Sequence, residues 1–162
     1  MSHRRHSQVL IAVVFALFTV TVCAQTLTVI DADDHTTTFT AARIAAMSHV
    51  TVNALDHDAP AQFSGVAMSE LLSAAGIPVG DKLRGPRMAD VVLVEAADGY
   101  KVVFALAEFD PAFATRDIIL ADKRDGKPLD AKEGPYRIVV PGDKRPARWI
   151  RQVTGMKVVA VK

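Results

Sequence analysis

The position of the only cysteine sets the tightest limit on how this chain can fold. Cys23 lies at the end of a segment that starts with two arginines, runs apolar over residues 9–20 and finishes in short side chains up to Ala24. That order is typical of a secretory signal peptide, and the apolar run is shorter than the about 20 residues of a membrane helix. We therefore expect a leader over residues 1–24, a periplasmic or secreted location, and a thiol-free domain over residues 25–162 with no transmembrane segment.

Two other interpretations of the leader stay open. A lipoprotein would keep Cys23 as its lipid-anchored N-terminus, but the residue before such a cysteine is normally Gly, Ala or Ser, and here it is Val22. Arg4 and Arg5 also fit the start of a twin-arginine signal. The bulky apolar residues that usually follow such a pair are replaced here by a polar stretch. Cleavage after Ala24 is therefore the prediction that we carry forward.

Length and charge narrow the class of protein. The chain has 162 residues, half of them hydrophobic, so the expected mature part has the size of one domain and can bury a core. The formal net charge of +1 falls by two, to −1, when Arg4 and Arg5 leave with the leader. Proteins that bind nucleic acid carry a basic surplus, so we expect no nucleic-acid partner. Without a disulfide, stability must come from packing.

Local patterns predict a β-rich chain with a few short helices. Strands are predicted over residues 27–30, 36–40, 49–54, 91–96, 100–105, 118–121, 136–140 and 157–161. Thr40 is expected to cap a helix that runs to Met47. A second helix that ends before Gly76 is predicted from one apolar face made of Met68, Leu71, Leu72 and Ala75. Many short strands without alternating βαβ units indicate an α+β fold, a single domain with mixed sheets.

Turn chemistry adds detail to this outline. The pair Asp98-Gly99 is expected to supply the positive φ angles of a tight hairpin turn. The four apolar residues 91–94 suggest a strand that is covered on both faces. Asp110 followed by proline predicts one helical turn over residues 111–115. Turns are also predicted at residues 56–60 and at Asp125-Gly126.

The densest group of candidate site residues is a basic segment near the C-terminus. Four cations occur close together there: Lys144, Arg145, Arg148 and Arg151. If Pro146 starts a helical turn, Arg148 and Arg151 share one face. Backbone N–H groups at a helix start, together with guanidinium groups, favour a phosphate or carboxylate. The alternative is a solvated basic turn whose charge is offset by acids such as Asp143.

Other candidate sites are weaker. Residues 56–58 and 31–35 place a histidine beside carboxylates, which could hold a divalent ion, but neither has a second histidine at ligand spacing. Aspartate is favoured in turns for its local hydrogen bonds, so we interpret both as structural turns and assign no metal ligand. The chain lacks the zinc-protease, phosphate-loop, nucleophile-elbow and dinucleotide motifs. Trp149 is expected to anchor the core.

From residue 50 onward the chain resembles a known family. Four stretches carry the likeness through their order and spacing: residues 64–72, 95–100, 120–129, and 134–142 followed by 148–150. They resemble the oxidoreductase molybdopterin-binding domain family, which shares the sulfite oxidase fold. The last stretch is similar to the loop that runs beside the pterin and its phosphate. The resemblance therefore implies molybdopterin as the cofactor and Lys144, Arg145, Arg148 and Trp149 as the residues that bind it.

The chain departs from the family at the metal. The resemblance implies a cysteine thiolate ligand to molybdenum on the strand before the helix, but residues 50–58 contain no cysteine. A soft thiolate suits that metal centre, and Asn53 or Asp56 would be a harder and poorer substitute. This sequence is therefore similar to a short exported form of the family that lacks the molybdenum-ligand cysteine.

Three functions follow from this comparison. The first is a non-catalytic binding or accessory module with an anion or pterin pocket. The second is a molybdenum cofactor-dependent oxidoreductase with non-cysteine ligation of the metal. The third is a structural partner of a periplasmic redox complex. The molybdenum content of the purified protein separates the first two.

Overall fold

Two five-stranded β-sheets dominate the part of the chain that the computed structural model describes, residues 25–161. The predicted leader, with Cys23, lies outside the described residues. The first sheet has the order β2 (Thr36–Thr40), β1 (Thr26–Ile30), β10 (Val153–Val159), β5 (Val91–Ala96) and β6 (Lys101–Ala105). Strands β1 and β10 pair in parallel, with Thr28 opposite Gly155, and the other pairs of this sheet are antiparallel.

The second sheet is antiparallel and carries the long hairpin of the fold. Its order is β3 (His49–Asp56), β4 (Ala59–Ala67), β7 (Ile119–Arg124) and β8 (Lys127–Pro128), and β9 (Arg137–Val139) also pairs with β7. Gly65 lies at a bulge where β4 meets β7, opposite Ala121. At this position the two backbones come so close that only glycine fits. The pairing of β4 with β7 therefore requires a glycine at position 65.

Helices are short and connect the strands. In the described part of the chain they are α1 (Ala41–Ala45), α2 (Met68–Ala74) and four 3₁₀ helices over Gly80–Lys82, Gly85–Ala89, Leu106–Phe109 and Pro146–Arg148. The predicted apolar face of α2 is confirmed, because its first three members have no exposed surface, and Gly76 follows with a φ of +83°. None of the helices within residues 25–161 has the length and apolar character that a bilayer crossing requires. The predicted β-rich α+β architecture is confirmed.

Several boundaries differ from the prediction. Thr40 caps α1 as expected, accepting from the backbone N–H of Arg43 at 3.1 Å, but the helix ends at Ala45 because its last turn tightens. The last strand spans Val153–Val159 instead of residues 157–161. It starts early because its pairing with β5 continues past a bulge near Gly155. The turn predicted at residues 56–60 is narrower, since β3 and β4 continue to Asp56 and from Ala59.

The hairpin between β5 and β6 also differs in detail. Gly99 has a φ of +83° but Asp98 does not have a positive φ, and the N–H of Gly99 donates to the carbonyl of Ala96. Asp98 instead accepts from the N–H of Tyr100 through its side chain. Strand β5 alternates between buried and half-buried residues, so the expectation of a strand fully covered on both faces was wrong. One face of the first sheet remains partly open to solvent.

Candidate functional site

The predicted basic segment forms the loop between β9 and β10. Gly142 has a φ of +86°, and the N–H of Asp143 donates to the carbonyl of Val140 at 3.3 Å, so the chain turns sharply after β9. Lys144 and Arg145 follow this turn and are exposed. The ion pairs around the loop use other arginines, and none within residues 25–161 includes Lys144 or Arg145. Their charges face solvent.

The helical turn expected at Pro146 is present as a single 3₁₀ turn. It starts at the proline, which has no N–H to leave unpaired, and it ends at Arg148. Arg151 lies beyond this end and is exposed. The predicted helical face shared by Arg148 and Arg151 therefore does not form, because the helix is too short to include both.

Arg148 is held in an ionic network. Its Nε and Nη2 donate to the two carboxylate oxygens of Asp143 at 3.1 and 3.0 Å, and its Nη1 donates to Oε2 of Glu108 at 3.1 Å. Arg116 donates to the same two carboxylates, at 3.2 Å each. The hydrogen bonds to Asp143, more than those to Glu108, raise the pKa of Arg148. Two cations and two anions balance here, so Arg148 orders the loop and has fewer donors left for an external anion.

Trp149 is buried, with 2% of its surface exposed. Its ring meets the ring of Phe63 edge to face, with centroids 5.8 Å apart and planes at 89°. The guanidinium of Arg137 lies 5.1 Å from the Phe63 ring and 5.6 Å from the Trp149 ring. Trp149 therefore anchors the core as predicted, and its Nε1 is buried without a partner among the described residues.

Arg137 lies at the centre of a second charge cluster, which we call the buried cluster: Asp56, Arg124, Glu133 and Arg137. The Nη1 of Arg137 donates to Oδ2 of Asp56 at 3.2 Å and to Oε1 of Glu133 at 2.9 Å. Arg124 donates to the same two oxygens, at 3.0 and 3.3 Å. Arg137 has no exposed surface, and its Nε and Nη2 are buried without partners in the described chain. The cluster ties the end of β3 to β7 and β9.

The first of the two turns with histidine and carboxylates, over residues 31–35, is built by local hydrogen bonds. Asp31 Oδ1 accepts from the backbone N–H groups of Asp33 and His35, at 2.9 Å each, and Oδ2 lies 3.1 Å from Nδ1 of His35. The backbone hydrogen bond from His35 is the main reason that the pKa of Asp31 is lowered. Ligand atoms of these three residues lie within 4.8 Å of one another, in an exposed turn. His57 and Asp58 have positive φ and form the β3–β4 turn.

A cleft of about 310 Å³ borders the basic loop. Arg151 and Lys132 line it together with Pro146 and the edge of Trp149. The hydroxyl of Tyr100, on the same wall, donates to the carbonyl of Ala147 at 3.2 Å. The cleft combines these two cations with the carboxylate of Asp98 and an aromatic edge, and it lies directly beside the predicted anion-binding residues.

Comparison with known proteins identifies the family of this chain. The family model described as the oxidoreductase molybdopterin binding domain matches residues 20–161. The chain belongs to this family. The crystal structure of the sulfane dehydrogenase SoxCD from Paracoccus pantotrophus is similar, with a TM-score of 0.67 and 18% identity over 85% of this chain. The chain spans 38% of that chain, and at this identity the similarity concerns the fold alone. The predicted family and its sulfite oxidase-like fold are confirmed.

A comparison with curated protein sequences returned no match. Membership of the molybdopterin-binding family nevertheless suggests a molybdopterin cofactor as the class of ligand. The β3–β4 hairpin does not fit the metal of such a cofactor, because it contains no cysteine and its two oxygen candidates are poor ligands. Asp56 has Oδ2 shared by two guanidinium groups, and Asn53 is exposed on β3. The basic loop and its cleft fit an anionic group, such as a phosphate.

Sequence reasoning missed most of the charged network. Arg137 is separated from Asp56 by 81 positions, and Arg148 from Glu108 by 40, so no local spacing reveals either pair. One signal was present: Arg137 interrupts an otherwise apolar strand, and a buried arginine requires carboxylate partners. The predicted strand over residues 49–54 gives His49 no partner, yet its Nε2 lies 3.2 Å from a carboxylate oxygen of Asp122.

Proposed function

We propose that this chain is an exported, non-catalytic member of the molybdopterin-binding family that binds a small anion or the phosphate of a pterin. In this proposal it serves as an accessory protein to a redox enzyme in the periplasm or outside the cell. The family match supports the pterin as ligand class. The leader pattern over residues 1–24 supports export.

The ion pairs of Asp56 are the observation that carries the non-catalytic assignment. Asp56 is the buried oxygen ligand on the hairpin where the family resemblance implies a metal-binding thiolate. Its Oδ2 already accepts from Arg124 and Arg137. Its Oδ1 is buried without a hydrogen-bond partner among residues 25–161, but a metal cation on this oxygen would lie beside two guanidinium groups that share the same carboxylate, and like charges at this distance repel. The hairpin therefore favours an internal ion pair over metal ligation.

The anion-binding part of the proposal rests on the basic loop. Lys144 and Arg145 carry exposed charges beside the 310 Å³ cleft, and Arg148 holds the loop in place through Asp143. Trp149 supplies the apolar wall of that cleft. Guanidinium and ammonium groups form charge-assisted hydrogen bonds to phosphate that are stronger than neutral ones. In this arrangement Lys144 and Arg145 contact the anion at the edge of the cleft, outside the residues that line it, and Arg148 and Trp149 shape the site.

Metal analysis of the protein tests the non-catalytic assignment. The chain is purified from its native compartment after growth with ample molybdate, and molybdenum is measured per chain. We expect far less than one molybdenum per chain. Stoichiometric molybdenum would show that the chain is a molybdenum-dependent oxidoreductase with a non-cysteine ligand, and the proposal would be wrong.

Calorimetry tests the anion site separately. Phosphate, sulfate and a pterin monophosphate are titrated into the wild type and into Lys144→Ala/Arg145→Ala. We expect the double variant to bind the pterin monophosphate at least about tenfold more weakly, since each hydrogen bond to a charged group contributes about 1.5–3 kcal/mol. Lys82→Ala/Arg84→Ala is the matched control, because it removes two exposed cations elsewhere. Equal binding by both double variants, or none by the wild type, contradicts the site.

A partner redox enzyme is the last element of the proposal. The similar structure is that of a sulfane dehydrogenase, which supports a redox enzyme as the class of partner. Crosslinking in the native compartment, followed by mass spectrometry, tests this element. Crosslinks to a redox enzyme support it, and crosslinks only between copies of this chain contradict it.

A further inference from the structure

A second cavity in the described part of the chain is separate from the basic loop. It has a volume of about 630 Å³ and lies between the starts of β1 and β10, at one end of the first sheet, and the segment over residues 128–135. Gln152 is the one residue that it shares with the 310 Å³ cleft. Cavities that bind small molecules typically measure about 300–1,000 Å³. Its size therefore suits a small organic ligand.

The cavity wall contains a carboxylate that is only half satisfied. Asp122, on β7, lines the cavity, and its Oδ2 lies 3.2 Å from Nε2 of His49. Because a carboxylate oxygen accepts, His49 donates to it, and the other ring nitrogen of His49 lies 2.9 Å from the carbonyl oxygen of Met47. Oδ1 of Asp122 is buried and has no partner within residues 25–161. A buried acceptor without a donor is costly, by about 1–3 kcal/mol or more for a charged group.

The remaining side chains of the wall select the charge of a ligand. A second carboxylate, Asp130, lines the cavity, and no lysine, arginine or histidine is among the described residues of the wall. Leu129 and Val153 give it apolar surface, and Thr26 and Thr154 add hydroxyl groups. Asp122 is paired with His49 through Oδ2, and Asp130 accepts from the backbone N–H groups of Lys132 and Glu133 through Oδ1. With no cation on the wall itself, these carboxylates attract positive charge, and the apolar part accommodates a short hydrocarbon chain.

We propose that this cavity binds a small organic cation, an ammonium or guanidinium group on a short apolar body, whose charge pairs with the carboxylates of Asp122 and Asp130. Because Oδ1 of Asp122 is buried, the ligand meets the exposed part of this side chain. The apolar body packs against Leu129 and Val153. This site is independent of the anion site at the basic loop, so the chain binds ligands of opposite charge at two places.

An NMR titration of the full chain tests the cation site. The probe is n-butylammonium, and n-butanol at the same ionic strength is the matched neutral compound. The full chain is used so that cleavage does not create a new α-ammonium group at Gln25, which lines the cavity. We expect n-butylammonium to shift backbone amides of the wall, such as those of Ala97 and Gly134, and to bind at least about tenfold more tightly than n-butanol. Equal binding of the two compounds contradicts the proposal.

Variants locate the charge that matters. Asp122→Asn keeps an acceptor for His49 but removes the charge, and it should weaken n-butylammonium at least about tenfold, which equals about 1.4 kcal/mol. Asp81→Asn removes one exposed charge outside the cavity wall and should leave the affinity unchanged. If both variants weaken binding equally, the attraction depends only on the net charge of the protein, and the proposed site is wrong.

Two further variants complete the test. Ala131→Phe fills the mouth from an exposed position, keeps every charge, and should also abolish binding. It decides the question if Asp122→Asn fails to fold, and unchanged binding in this variant contradicts the proposal. Lys144→Ala/Arg145→Ala should bind n-butylammonium as the wild type does. Because this variant removes only the cations of the anion site, the test of the cation site does not depend on whether the anion site exists.

Discussion

Replacing Gly65 with alanine should destabilise the fold far more than one added methyl group normally does. A Cβ at this position would lie 2.1 Å from the carbonyl oxygen of Leu120 and 2.5 Å from Cα of Ala121. Carbon–oxygen contacts in sheets lie at about 3.3–3.6 Å, so β4 and β7 would have to separate by about 1.2–1.5 Å. Both neighbours are backbone atoms, so no change of rotamer can relieve the clash.

The cost can be worked out from the pairing that this separation weakens. Overpacking alone costs about 1–3 kcal/mol. Gly65 pairs with Ala121, and the next two positions of β4 also pair with β7, so backbone hydrogen bonds worth about 0.5–1.5 kcal/mol each are strained as well. We expect Gly65→Ala to lower the free energy of unfolding by about 3–5 kcal/mol.

Urea unfolding followed by circular dichroism measures this change, and the chain offers a matched control. Gly155 is also a strand glycine without positive φ, but a Cβ there would lie 3.6 Å from the carbonyl oxygen of Thr28, an ordinary contact. Gly155→Ala should therefore change stability by less than about 1 kcal/mol, and in the favourable direction if the alanine stiffens the unfolded chain. A loss below about 1 kcal/mol for Gly65→Ala, or equal losses for both, would refute the reasoning.

Three further predictions concern the charged and phenolic groups. Arg137→Met should lower the free energy of unfolding in urea by about 3–5 kcal/mol, because it leaves buried carboxylates without one of their partners. Arg124→Met, at a half-exposed position, should lower it clearly less. Equal losses for the two variants would contradict the buried cluster. Arg148→Ala should cost about 1–2 kcal/mol, above the about 0–1 kcal/mol of a lone surface pair, and a smaller loss would show that the network is weak. Burial, and then the charge of Asp122, raise the pKa of Tyr136, so the folded phenol holds its proton more tightly than the unfolded one. Its contribution to stability is then complete below about pH 10 and is lost at higher pH, and spectrophotometric titration should find one tyrosine ionising late in the wild type and earlier in Asp122→Asn.

The parts of the fold that were predicted correctly are those that local chemistry decides. The helix α2 followed from the spacing of Met68, Leu71 and Leu72, and its end followed from Gly76. The β7–β8 turn followed from Asp125-Gly126, both of which have positive φ. In each case the residues that determine the element are neighbours in the sequence, so the pattern is visible without the rest of the chain.

Elements that depend on distant partners were predicted less well. The last strand begins at Val153 because β5 pairs with it there, whereas Gly155, a residue type depleted in strands, interrupts the local β pattern. The parallel pairing of β10 with β1 joins residues from opposite ends of the described chain. Such pairings are fixed by tertiary contacts, which override local propensity.

The charges of the candidate site also depend on distant partners that the local sequence does not reveal. A count of cations predicted an anion site at the basic loop, and Lys144 and Arg145 do present their charges to solvent. Arg148 has the same chemistry, but Glu108 approaches it from a 3₁₀ helix 40 positions earlier and takes one of its donors. An arginine is available to a ligand only when no carboxylate of the fold reaches it first. Tertiary structure decides which arginines remain available to a ligand. The sequence therefore identifies the loop as a candidate site but does not show which of its cations can bind an anion.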